Sequence, residues 1–249
     1  MSGHSKWATI KHKKAANDKA RGKLFAKVLR QVEVAAREGG GDPDANPTLR
    51  TMFQKARDNS IPLDTIERAV KRGTGELEGV TYEQITYEGY APGGVAVMAE
   101  VLTDNRNRTG ADIRSAFSKN GGSMAEPGAV AWQFDRKGVL LVDRKVDEEE
   151  LMLTALDAGA EDIVDDGEAW RVTTPPGDLH GVRAALEAAG IAVESADLLM
   201  VPQATIALDS AEQAKKVLRL VDALDEQDDV QAVHANFDIP DHILETVEA

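Results

Sequence analysis

The sequence predicts an α+β protein: an N-terminal three-helix domain followed by two α+β sandwich domains, the central one inserted into the other. Three observations carry this. Through the first 72 residues apolar side chains recur at three- and four-residue steps. After "GTGELEG" at 73–79 the period shifts to alternation, the pattern of strands. Between 137 and 200 the elements run βαββαβ, the split βαβ order of a ferredoxin-like open sandwich that can close on itself.

The elements follow in chain order. Residues 23–38 read as a helix on Leu24, Phe25, Val28, Leu29, Val32 and Ala36, ended by "GGG" at 39–41. Asn46 is placed to cap a second helix with Pro47 at its first position. A third lies in "LDTIERAVKRG", closed by Gly73. "YEQITYEGYAPGGVAVMAEVL" reads as two strands around a Pro-Gly-Gly turn, "RTGADIRSAFSKNGG" as a helix, and "GAVAWQFDRKGVLLV" as strand. Asp147 and Glu150 have capping-box spacing at the head of "DEEELMLTALDAGA", and Asp166-Gly167 is the turn of a hairpin in "EDIVDDGEAWRVTT". A helix in "PPGDLHGVRAALEAAG" and a strand in "VESADLLMVPQATIAL" complete the central segment. A helix capped by Ser210 and a last strand, "VQAVHANF", follow. The expected domains are 1–75, 80–136 with 201–238, and the inserted 137–200.

Charge divides the chain more sharply than secondary structure does. Of the 249 residues, the first 30 carry nine Lys or Arg against one Asp, while the whole chain has a formal charge of −14, leaving −22 for residues 31–249. The segment 137–200 carries five basic and fifteen acidic residues, and 201–249 three and eleven. Like-charge repulsion makes these acidic parts poor nucleic-acid surfaces. The absence of cysteine excludes disulfides and thiolate zinc sites. No apolar run approaches a membrane span, and "LFAKVLRQVEVAA" is too interrupted to be the apolar core of a secretory signal. No membrane partner is expected.

The basic end is the first candidate site. On a helix extended back through Gly22, Lys19, Lys23, Lys27 and Arg30 fall within about 80° of one another, nearly opposite Phe25, Val28 and Val32. One side can pack while the other meets an anion. Ahead of it lie Lys6, Lys11, His12, Lys13 and Lys14, with Trp7 as the only aromatic. Ammonium groups near an indole suit a nucleic-acid backbone with a base stacked on the ring. Trp7 equally fits a role anchoring the tail to the helices. The second candidate is Asn105, Arg106, Asn107 and Arg108 in "LTDNRNRTGADIR". Two arginines in a loop before a helix N-terminus would make a phosphate seat; the alternative is an Asp104-Asn105 turn with the arginines paired to acids of the neighbouring lobe.

Enzyme motifs are missing: "GTGELEG" is off the dinucleotide spacing, and no Walker loop, GxSxG or HExxH is present. No cofactor and no small-molecule substrate are expected. His4 and His12 lack the third ligand that a metal site would need.

"MSGHSKWATIKHKKAANDKARGKLFAK", "YEGYAPGGVAVMAEVLTDNRNRT", "SKNGGSMAEPGAVAWQFDRKG" and "VPQATIAL" together resemble the YebC/PmpR family over essentially the whole chain. They are also similar to the mitochondrial translational activator of cytochrome oxidase subunit I. The resemblance implies a cytoplasmic, three-domain, non-enzymatic regulator of gene expression. Family members are described as transcriptional regulators, some of them binding DNA. Others assist translation on the ribosome, including through proline-rich stretches. "LTDNRNRT" shows no departure from the family pattern, which adds weight to Arg106 and Arg108 as functional. The lysine-dominated stripe favours phosphate over base-edge contacts. A ribosome- or ribosomal-RNA-bound translation factor is therefore expected before its alternative, a duplex-DNA regulator.

Overall fold

The computed structural model describes residues 18–167 and 169–248. They form two compact units, one from the described residues of Glu83–Lys137 and Leu199–Ala249, the other from those of Lys11–Tyr82 and Gly138–Leu198. The architecture is α+β, with N-terminal helices followed by sheet-containing parts.

In the second of these units, helices α1 (Asp18–Gly39), α2 (Pro47–Asp58) and α3 (Leu63–Gly73) enclose a core of Val28, Val32, Leu49, Ala56 and Ile66. Leu49 and Ile66 are fully buried, and truncating such a side chain to Ala costs about 2–5 kcal/mol. Asn46 does two jobs. Its Oδ1 accepts the Leu49 N–H at 3.1 Å, capping α2, while its Nδ2 donates to the Ala35 and Gly40 carbonyls at 2.8 Å, closing α1. Gly73 does not end α3 as a left-handed cap. A Cβ there would fall on the Glu33 carbonyl, so glycine is required by close approach of α1 and α3, and the left-handed residue is Gly75 at φ 82°.

The same unit contains β4 (Phe134–Asp143, from Gly138 on), α5 (Glu148–Asp157), β5 (Asp162–Asp165), β6 (Ala169–Thr174), α6 (Leu179–Ala188) and β7 (Val193–Pro202, up to Leu198). The sheet order β5-β6-β4-β7 is the ferredoxin-like arrangement. β4 and β6 run antiparallel with Leu140 opposite Val172, and Leu140, Leu151, Val172 and Leu186 fill the core. Asp147 caps α5 through the Glu150 N–H at 3.0 Å. Helix α2 meets this layer through polar contacts: Thr51 Oγ1 lies 2.7 Å from His180 Nε2, Arg183 forks onto Asp58 at 2.7 and 3.1 Å, and Lys55 reaches Asp197 at 2.7 Å.

The other unit has a sheet of order β3-β1-β2-β9, built from β1 (Glu83–Tyr90), β2 (Ala96–Thr103), β3 (Ser123–Met124) and β9 (Val230–Ala235). Helices α4 (Arg106–Lys119) and α7 (Ala211–Asp225) supply Phe117, Leu220 and Leu224 to a core shared with Val97 and Val101. The hairpin turn is Pro92-Gly93-Gly94, where both glycines have positive φ. Ser210 caps α7 through the Gln213 N–H at 3.2 Å. The strand expected over "VESADLLMVPQATIAL" divides into β7, ending at Pro202, and the two-residue β8 (Ile206–Ala207), which pairs in parallel with β10 (Phe237–Asp238); helix α8 (Asp241–Glu248) is an addition to the elements expected from sequence.

Candidate nucleic-acid interface

Helix α1 runs back to Asp18, five residues before the helix start expected at 23. That extension places Gly22 inside the helix, as the basic stripe requires. Val28 and Val32 are buried on one side, and Phe25 packs against the same core. On the other side Lys23 is exposed and Lys27 and Arg30 are half-buried. The Arg30 guanidinium stands 5.0 Å from the centre of the Tyr82 ring, a cation–π contact that orients it. Glu33, about one turn beyond Arg30 on α1, is buried and engaged by Arg72 at 3.0 Å and Arg37 at 3.7 Å, so its charge is neutralised locally. The Lys19 side chain is outside the described atoms. Lys6, Trp7, Lys11, His12, Lys13 and Lys14 lie outside the described residues, as does His4.

The segment 104–109 departs from expectation. Arg106 and Arg108 are not in a loop: Asn105 is the N-cap, accepting the Arg108 N–H at 3.1 Å, and both arginines stand in the first turn of α4. Arg108 Nη2 donates to Asp104 and to Asp229, each at 2.8 Å, and Arg106 Nη1 to Glu83 at 2.8 Å. Asp229 also accepts from the Thr109 hydroxyl at 2.6 Å and the Thr103 hydroxyl at 3.2 Å. Burial pushes the Asp229 pKa up, but the bonds from Thr109, Arg108 and Thr103 outweigh this and hold it below its ordinary value. The arginines therefore face three carboxylates, and the cluster fastens the start of α4 to the turn that leads into β9. Asn107 is exposed beside them.

Sequence reasoning passed over a third feature. Glu88 on β1 is 5 % exposed, and its carboxylate gathers three backbone N–H groups: Gly128 on Oε1 at 2.6 Å, Val130 and Ala131 on Oε2 at 2.6 and 2.8 Å. Burial would raise the Glu88 pKa; the three N–H donors more than offset that and lower it. This carboxylate fixes the irregular segment that carries Trp132, which sits in a short 3₁₀ turn (Ala131–Gln133) rather than in the expected strand. The available signal was "AEPGAVAW", where Pro127 and Gly128 mark a turn immediately ahead of Val130.

Among the described residues, no group of three His, Asp or Glu is placed to hold a metal, and no helix is long and apolar enough to cross a membrane. His180 bonds Thr51, His234 is buried with Nε2 3.3 Å from Glu100, and His242 is exposed.

Two family models match the chain: residues 5–76 match the TACO1/YebC protein N-terminal domain, and residues 82–237 the TACO1/YebC second and third domain. A protein of Rubrobacter xylanophilus is 60 % identical over 249 residues and one of Halothermothrix orenii 57 % identical over 250, each comparison covering 99 % of both chains. Both carry the name probable transcriptional regulatory protein. The crystal structure of a conserved hypothetical protein from Aquifex aeolicus superposes with a TM-score of 0.83 at 46 % identity, covering 91 % of this chain and 94 % of that one.

Proposed function

Because the chain belongs to the TACO1/YebC family, we propose that it is a non-enzymatic, nucleic-acid-binding regulator of gene expression acting on the ribosome or its RNA. The observation that carries this is the two-sided helix α1: Val28 and Val32 buried on one face, Lys23, Lys27 and Arg30 gathered on the other. In a protein of charge −14, a basic face of this kind concentrates attraction for polyanions at one place. Lysine ammonium groups neutralise phosphates but cannot fork onto a guanine edge as arginine does. Selectivity then comes from RNA shape and unstacked bases, which folded ribosomal RNA supplies and uniform duplex DNA does not. Assistance to elongation through proline-rich stretches is the activity this reading extends to, in the cytoplasm.

The names of the relatives favour the DNA regulator as the second reading. A competition titration at near-physiological salt separates the two, using purified ribosomes, random duplex and the best duplex from an in-vitro selection. The expected outcome is competition by ribosomes and less than about tenfold preference among duplexes. A selected duplex preferred by about 10³-fold, with ribosomes failing to compete, would establish the DNA regulator instead.

A further inference from the structure

Trp132 is 70 % exposed, more than any other large apolar side chain among the described residues. Its carrier is unusually well fixed. Val130 and Phe134, two residues to either side, are buried with Ala96 and Met98, so the backbone is pinned on both flanks and the indole is turned outward. Glu88 holds the Gly128, Val130 and Ala131 N–H groups from beneath. The Gln133 carbonyl accepts the Gln203 N–H at 2.8 Å, and its side-chain Oε1 accepts from Asn236 Nδ2 at 3.0 Å. Gly128, at φ 89°, supplies the left-handed turn that a residue with a Cβ would resist.

The indole's polar group is already used. Trp132 Nε1 donates to the Ala129 carbonyl at 3.1 Å, and the Tyr90 hydroxyl donates to that same oxygen at 3.3 Å. What the ring offers a ligand is its π face, without a hydrogen-bond donor. Such a surface takes flat, unsaturated groups by stacking and does not read their edges. The charges that flank it in the sequence are balanced, Glu126 and Asp135 against Arg136 and Lys137, and Asp135 is held by Gln203 Nε2 at 3.1 Å. A balanced surround cannot track a run of phosphates, as a duplex groove would require. It can accept one splayed-out base, and Arg136, four residues further along and exposed, carries a charge suited to that base's own phosphate.

We propose that Trp132 is a pre-organised stacking platform for a single unpaired nucleobase of RNA. This rests on the nucleic-acid reading above. Because the segment is fixed before the ligand arrives, little ordering cost falls on binding.

The test uses the full-length protein and a single-stranded, uridine-rich 12-mer carrying one 5-iodouridine. Affinity is measured by fluorescence anisotropy and the photo-cross-link is mapped by mass spectrometry. The expected result is a cross-link at Trp132, an affinity about 5- to 100-fold weaker in Trp132→Ala, near-parent affinity in Trp132→Phe, and no change in duplex binding in either variant. Circular dichroism confirms that both variants are folded. Parent affinity in Trp132→Ala, or a cross-link confined to other residues, overturns the proposal. If affinity then falls in Lys23→Glu/Lys27→Glu, nucleic-acid binding stands and only the platform is lost. No binding of the 12-mer or of ribosomes by the parent protein refutes the underlying reading. Tryptophan quenching by a proline-rich peptide that is seen in the parent but lost in Trp132→Phe, with none by the 12-mer, would make the surface a protein-docking site and overturn the base assignment.

Discussion

Glu88→Gln tests whether one buried carboxylate holds the segment 125–133. A glutamine presents one oxygen and one NH₂ where Glu88 presents two acceptors. Its better orientation keeps the oxygen on Val130 and Ala131 and turns the NH₂ towards the Gly128 N–H, which Oε1 now accepts at 2.6 Å. One charge-assisted bond, about 1.5–3 kcal/mol, disappears, and the other two become neutral bonds of roughly half the strength. The amide is less costly to bury than a carboxylate, which offsets part of this. A net loss of about 3 kcal/mol is expected, or about 6–12 °C in a melt of the whole chain as one transition. Differential scanning calorimetry near neutral pH reads it. The pH dependence supplies a sign. The folded Glu88 carboxyl has a pKa below its ordinary value of 4.5, so its contribution is fully present above that value and is lost as pH falls through the folded pKa. The gap between parent and variant should therefore close in acid. A variant melting within about 1 °C of the parent, or a gap that is unchanged on acidification, would refute the reasoning.

Replacing Lys11, Lys13, Lys14 and Lys23 together with Glu is expected to abolish most nucleic-acid binding with an unchanged melt, and the log–log salt slope should flatten by about 0.7–0.9 for every phosphate that is no longer neutralised. Arg106→Ala should shift the urea midpoint by no more than the equivalent of about 1 kcal/mol, since its pair with Glu83 is exposed on both sides. Asp229→Ala should cost about 2 kcal/mol in the same assay, because the Thr103 and Thr109 hydroxyls and Arg108 are deprived of a shared acceptor. Burial, together with the charges of Arg50 and Arg183, lowers the His180 pKa. His180 therefore contributes stability that is fully present above its ordinary value of 6.5 and is lost as pH falls through the folded pKa, where a buried imidazolium beside Arg50 and Arg183 is disfavoured. Urea midpoints from about pH 8 to pH 5 should fall for the parent and stay flatter for His180→Gln.

Residues with a local code are legible in the sequence. Asn46, Asp147 and Ser210 cap helices because their short side chains reach an N–H within the next turn, a property of three or four residues alone. The ferredoxin-like order emerges because alternation and helical periodicity are local too. What the sequence conceals depends on residues far apart. Nothing near Arg108 announces Asp229, 121 positions away, and nothing near Gly128 announces Glu88, 40 positions earlier. β3, β8 and β10, each two residues long, carry no periodicity to detect. Trp132 reads as part of a strand because Val130, Trp132 and Phe134 alternate; the 3₁₀ turn at Ala131–Gln133, whose approach Glu88 holds through the Val130 and Ala131 N–H groups, breaks that face and leaves Trp132 exposed.

The pairing of β2 with β9 has a consequence for how the protein is made. Val97 lies opposite Ala235, and the Ala96 N–H is satisfied by Asn236, 140 residues later. Until residues 230–236 leave the ribosome, β2 has an unpaired edge along one of the most apolar stretches of the chain. The unit built from Lys11–Tyr82 and Gly138–Leu198 has by then been synthesised in full and can fold. Every nascent copy must therefore keep a sticky strand soluble through much of its synthesis. A stop codon before residue 230 would leave that edge open permanently, so such truncations should accumulate as aggregates rather than as shortened but usable protein.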